Sequence, residues 1–304
     1  MSNSDAHNNS QARQLDQRLV AAIALNGLTV AAEIIGGVLA GSLALLSDAV
    51  HNLSDVAALV LALAARVIGR RRPSLHHTFG FHRLEVIAAF VNGATLLVVA
   101  TLVVRAAIVR LVQPEPVNRD LMLVVALIGL GANMLSVILL HHHDARDLNM
   151  RAAFLHLVQD TASSVIVVGA AVFANAAFGR YLDPLASLLV ISLIFVGTYR
   201  LVRRALHILM QGTPPGLDTE ELRSDVVRQF GLADMRHIHV WELGAGYHVL
   251  TAHLVAGPGG VLALLEQVPE IREYLRREWH IEHATLEVEP VPSEQCTLAS
   301  QPEL

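Results

Sequence analysis

Six stretches of this chain are apolar over the length, about 20 residues, that a helix needs to cross a bilayer. They run roughly over 17–38, 45–69, 84–110, 120–140, 152–176 and 184–206. In hydrocarbon every backbone polar group must find its partner within the protein, so such runs predict helices. Charge agrees: 16% of the 304 residues are charged and 53% are hydrophobic, whereas a soluble chain carries about 25% charged residues. The charges gather at the N-terminus, in short connections and after Leu217. The predicted fold is therefore a six-helix all-α membrane bundle followed by a small α+β domain. The predicted division is a polar N-terminal tail over 1–16, a six-span region over 17–210, a cytoplasmic domain over 211–291 and a terminal tail over 292–304.

Arginine placement sets the expected orientation. Arg70, Arg71, Arg72 and Arg83 flank the second connection, Arg146 and Arg151 the fourth, and Arg200, Arg203 and Arg204 end the sixth span. The opposite connections hold Arg119 and Arg180, with Arg110 near one end. Both termini are thus expected on the cytoplasmic side of a multi-pass protein, and the opening residues do not read as a cleaved signal peptide. Asp183-Pro184 predicts an N-cap and first helical position for the sixth helix.

After a Pro/Gly linker at 212–216, the tail reads as a helix over 219–230, strands over 236–243 and 246–256, a helix over 260–278 and a strand over 281–289. That αββαβ order predicts a ferredoxin-like, metallochaperone-like sheet with helices on one face. Alternation places Ile238 and Val240, then Leu250, Ala252 and Leu254, then Ala284, Leu286 and Val288 beneath the helices. His237, His239, Trp241, Tyr247, His253, His283, Glu287 and Glu289 then fall on the open side.

Two pairs of the same composition and spacing, His51-x-x-x-Asp55 and His156-x-x-x-Asp160, lie inside the second and fifth spans. Residues i and i+4 share a helix face, and ionisable groups at bilayer depth rarely persist unless they pair or handle an ion. If the two spans touch, two imidazoles and two carboxylates converge, a donor set suited to tetrahedral Zn2+. The plainer reading is a pair of intrahelical His–Asp hydrogen bonds. Asp48 lies near the same face and reads as an outer partner of His51 or a capping residue. Asn26, Glu33 and Asn92 read as interhelical hydrogen-bonding groups.

Other histidines cluster at the expected cytoplasmic side. His76, His77 and His82 lie in one connection, and His141, His142 and His143 end the fourth span, where they suit weak capture of metal or plain solvation. The single cysteine, Cys296, excludes a disulfide framework and a Cys-cluster metal site. There is no basic stripe for nucleic acid and no nucleotide-binding loop, so neither nucleic-acid binding nor enzymatic activity is expected. Two other readings of the paired histidines are a membrane redox protein with haem held between two His and a metal-sensing membrane receptor.

Several segments carry a specific resemblance. Ser42-Leu-Ala-Leu-Leu-Ser-Asp-Ala-Val-His-Asn-Leu-Ser-Asp55, Thr78-Phe-Gly-Phe-His-Arg-Leu-Glu85, Phe154-Leu-His-Leu-Val-Gln-Asp160, Asp183-Pro-Leu-Ala-Ser187 and His237-Ile-His-Val-Trp241 resemble signatures of the cation diffusion facilitator family of zinc transporters. The resemblance implies a homodimeric, proton-driven exporter of Zn2+ working by alternating access in a prokaryotic plasma membrane. It implies that His51, Asp55, His156 and Asp160 form the transport site, with Co2+, Cd2+ and Ni2+ open as further substrates. It also implies an interface metal site near His77 and His82, although Ser74 stands where an acidic ligand is expected. A third site, in the tail, would use His237, His253 and Glu289 and would bridge the dimer.

Overall fold

A computed structural model of the chain describes residues 26–69, 73–141, 148–244 and 246–290. Helices α1 (Asn26–Ala40), α2 (Leu43–Gly69), α3 (Arg83–Val112), α4 (Arg119–His141), α5 (Leu148–Phe173) and α6 (Leu182–Leu209) come first. Then follow α7 (Thr219–Phe230), β1 (Asp234–Glu242), β2 (His248–Val255), α8 (Gly260–Trp279) and β3 (Ile281–Glu289). Two compact units result. One joins the described residues up to Val67 with those of 88–202; the other joins the described residues of 68–87 with those from Arg203 to Pro290.

In the first unit the usual distribution of polarity is reversed. Leu28, Val38, Leu39, Val98, Leu102 and Phe173 are exposed, while Glu33, Ser47, Asp48, His51, Asp160 and Ser163 are buried. An apolar exterior around a polar seam is what a lipid solvent selects, because apolar side chains lose nothing by facing it and polar ones must pair inside. Small residues let the helices approach closely: Ala44, Ala49, Ala107 and Ala171 are fully covered. Among the described residues, Arg83–Val112 and Gly179–Leu209 are long and apolar enough to cross a membrane, and Asn26–Ala40 and Val158–Phe173 are shorter apolar helices. The first half of α2 instead carries Ser47, Asp48, His51, Asn52, Ser54 and Asp55, a face made for other helices and not for lipid.

The turn between α1 and α2 needs a left-handed residue, which Gly41 supplies at φ 67°. The N-terminus of α2 is then capped from another helix. Asp183 lies within the first turn of α6, not at its N-cap. Its carboxylate accepts hydrogen bonds from Ser42 Oγ at 2.6 Å, Leu43 N at 2.9 Å and Ala44 N at 3.1 Å. The sequence expectation of a local cap therefore changes to a cap supplied in trans, and Arg110 of α3 completes it through Asp183 and the Gly41 carbonyl.

In the second unit β2 is central, antiparallel to β1 and parallel to β3. α8 makes the crossover that a parallel pair requires. Leu222 and Val226 of α7 and Leu264, Ile271 and Leu275 of α8 pack on Leu250, Ala252 and Leu254 of β2, so helices cover the expected face. Asp218 caps α7 by accepting from the backbone of Glu220 and Glu221. β1 departs from simple alternation. A bulge between Arg236 and His239 puts His237 at φ 50°, and the extra residue lets Met235, Ile238 and Val240 all reach the core.

Candidate metal centre

α2 is the hub of the first unit. Ser47 Oγ meets Ser187 Oγ of α6 at 2.7 Å, Asn52 donates to Glu33 of α1, and Asn92 of α3 donates to Ser54 Oγ at 3.0 Å. Glu33 and Asn92 are thus interhelical hydrogen-bonding groups, as their positions in the sequence suggest. Bonded to α1, α3 and α6, the polar face of α2 is held in one rotation, and His51 meets α5.

His51 Nε2 lies 3.0 Å from Asp160 Oδ1 of α5, and its Nδ1 lies 3.8 Å from Asp55 Oδ2 one turn along α2. His51 and Asp160 are buried and Asp55 is half-buried. The nearest ligand atoms of the three residues fall within 4.8 Å of one another, and among the described residues no other group of three His, Cys, Asp or Glu does so. A neutral imidazole carries one ring proton, and beside an ionised carboxylate the shorter contact uses that proton on Nε2. A metal ion bound at Nε2 takes the place of that proton and draws both carboxylates to itself. His156 falls on α5 one turn before Asp160, and its side chain lies outside the described part of the structure.

Asp48 is bonded to α5. Its carboxylate accepts from Ser163 Oγ at 2.6 Å and Ser164 Oγ at 3.1 Å, both on α5. Ser163 also donates to the Asp160 backbone carbonyl at 2.8 Å, and Asn133 of α4 donates to Ser164 Oγ at 3.0 Å. Asp48 therefore holds the turn of α5 that follows Asp160 and so steadies the helix that carries this ligand. Sequence reasoning passed over both serines. They stand three and four residues after Asp160, on the same face as the ligand, and that spacing could have pointed to them.

In the second unit the structure gathers the three tail residues singled out in the sequence. His253 Nδ1 lies 2.6 Å from Glu289 Oε1, and the His237 ring is 4.9 Å from the His253 ring, edge on. The bulge turns His237 toward this corner. His77 and His82 go separate ways: His77 stacks on Phe81 at 4.6 Å and His82 on Tyr247 at 5.0 Å. Neither belongs to a converging group of ligands among the described residues. His142, His143 and Cys296 lie outside the described residues, as does the side chain of His141.

With this geometry in place, comparison with known proteins is informative. The cation efflux transmembrane domain family matches residues 19–210. The zinc transporter ZitB of Escherichia coli (strain K12) is 39% identical over 297 residues, covering 96% of this chain and 94% of its own length. That of Pectobacterium atrosepticum is 39% identical over 288 residues, with 93% and 89% covered. The cadmium, cobalt and zinc/H(+)-K(+) antiporter of Bacillus subtilis is 32% identical over 285 residues, with 93% and 91% covered. These relatives are transporters, and nothing among them supports the haem or receptor readings. A domain match over most of the membrane region and full-length relatives lead to one conclusion: the chain belongs to the cation efflux family, the cation diffusion facilitators, and is a membrane transporter of metal cations and not an enzyme.

Proposed function

We propose that the protein exports Zn2+ from the cytoplasm in exchange for protons, loading the metal on His51, Asp55, His156 and Asp160 between α2 and α5. The observation that carries this reading is the meeting of His51 and Asp55 with Asp160 inside an apolar-surfaced bundle, their ligand atoms within 4.8 Å. Imidazole and carboxylate donors without thiolate suit Zn2+ and its neighbours Co2+, Cd2+ and Ni2+. The names of the relatives favour zinc, and that of the Bacillus subtilis relative adds cadmium, cobalt and the proton.

Coupling follows from competition for one lone pair. Metal binds only deprotonated imidazole, so loading metal releases protons and protonation expels metal. An unperturbed imidazole titrates near 6.5, close to the pH on either side of the membrane. Alternating access then needs only that α2 and α5 present the ligands to one side at a time. The bundle spans the prokaryotic plasma membrane six times with both termini cytoplasmic and works as a homodimer. His237, His253 and Glu289 form a second, structural zinc site in the tail.

The test is zinc flux in proteoliposomes under an imposed pH gradient. Flux that rises with the gradient, runs against a zinc gradient and disappears in Asp160→Ala is expected. Flux indifferent to pH overturns the exchange. Parallel runs with Co2+, Cd2+ and Ni2+ rank the metals.

A further inference from the structure

One buried carboxylate is left over by the metal centre. Glu33, in the middle of α1, is 1% exposed. Its Oε2 accepts a hydrogen bond from Asn52 Nδ2 at 2.8 Å, while Oε1 is buried with no hydrogen-bond partner among the described residues. Oε1 faces α4 at Gly129, where a Cβ would stand only 2.6 Å away. Any larger residue at 129 would push against this oxygen, so the glycine keeps its place open.

An ionised carboxylate with a single neutral donor is strongly disfavoured in such surroundings. No described positive group compensates it. Among the described residues, the ionisable groups that act on Glu33 are Asp48 and His51, both on α2. Asp48 is itself acidic, and His51 is already held between Asp55 and Asp160. A cation taken up from outside would supply the compensating charge. A metal ion needs several donors together, and among the described residues Glu33 is not part of any converging ligand group. A proton needs one oxygen, and one is what is open.

We propose that Glu33 binds a proton on Oε1, apart from the metal ligands, and surrenders it as one of the protons exchanged for a metal ion; this rests on the exchange reading above. The link to the metal centre is Asn52, the residue that follows His51 on α2 and holds the other carboxylate oxygen. A movement of α2 that loads metal on His51 carries Asn52 with it and changes how Glu33 is held. The carboxylic O–H then breaks, the proton leaves to water, and the carboxylate is reprotonated when the metal departs.

The experiment uses the full chain in detergent, with glutamate carboxyls labelled by carbon-13, and records infrared difference spectra on adding zinc. Loss of a protonated-carboxyl stretch that shifts with the glutamate label is expected, and the band should be absent from Glu33→Gln. In the same samples a pH indicator counts protons released per zinc bound, and Glu33→Gln should release about one fewer than the unchanged protein. Its zinc affinity should fall by less than the roughly 10–100-fold that loss of an outer partner of a ligand brings. Glu33→Asp, which keeps a carboxyl, should restore the release. If Glu33→Gln fails to fold, the labelled spectrum of the unchanged protein decides alone. Absence of a glutamate-shifted band, unchanged proton release in Glu33→Gln, or a loss of zinc binding as deep as that of a ligand variant would each overturn the proposal. If the unchanged protein releases no protons at all, the exchange reading falls with it; release that Glu33→Gln leaves intact removes Glu33 only.

Discussion

His51 Nε2 and Asp160 Oδ1 stand 3.0 Å apart although 109 positions separate them in the chain. The contact joins the polar faces of α2 and α5, and it places the imidazole between two carboxylates. Removing a group that touches the metal should cost more than removing one that only orients it. His51→Ala and Asp160→Ala are each expected to lower zinc affinity more than about 100-fold, measured by isothermal titration of the full chain in detergent.

Asp48 gives a graded counterpart. It holds α5 through Ser163 and Ser164. Asp48→Ala is expected to weaken zinc binding by roughly 10–100-fold, and Ser163→Ala by less, since Ser164 still reaches the carboxylate. Equal losses for Asp48→Ala and His51→Ala in the same titration would place Asp48 among the ligands.

Much of this arrangement is legible in the sequence because it is local. The i, i+4 spacing of His51 and Asp55 fixes their shared face, and the alternation of Leu250, Ala252 and Leu254 fixes the buried side of β2. What the sequence hides is whatever depends on contacts between helices. Asp183 precedes a proline and reads as the cap of its own helix, yet it caps α2, because only tertiary packing brings Ser42 beneath it. The bonds of Asp48 to Ser163 and Ser164 are hidden for the same reason. The bulge at His237 is hidden too: the left-handed backbone there belongs to no glycine or asparagine, the residues that advertise such a conformation. The tail histidines meet nonetheless, since the bulge lies within one strand.

The cap in trans predicts a local effect on stability. Asp183→Ala leaves the Leu43 and Ala44 amides and the Ser42 hydroxyl without their acceptor and removes a partner of Arg110. Loss of a helix cap costs about 0.5–2 kcal/mol, so a lowered thermal midpoint is expected. Hydrogen exchange should rise first at the amides of Leu43 and Ala44. Protection unchanged at those amides would show that α2 is not capped from α6.

The second unit should respond to acid. Hydrogen bonding by the Tyr274 hydroxyl, with further donors from Trp279 and Arg228, holds the Asp225 carboxyl below the usual carboxylate range despite partial desolvation. Desolvation acts against Asp234 as well, but donors from Arg236, Arg223 and the Met235 amide still hold it low. Both groups have depressed values in the folded state, so their stabilisation is present above the unfolded carboxylate value of about 3.9. It is lost as pH falls through the folded values. Trp241 and Trp279 are the only two tryptophans of the chain, so tryptophan fluorescence of the full protein reports this unit. An acid transition below about pH 4 is expected, and Tyr274→Phe should move it to higher pH.

The central claim is that the transported metal sits on His51, Asp55, His156 and Asp160, and anomalous scattering at the zinc edge from zinc-soaked crystals of the full chain tests it most directly. The account predicts a peak about 2.0–2.2 Å from the nitrogen and carboxylate oxygens of those residues, lost in Asp160→Ala. Zinc peaks confined to the tail or the loops, with none between α2 and α5 in the unchanged protein, would contradict it.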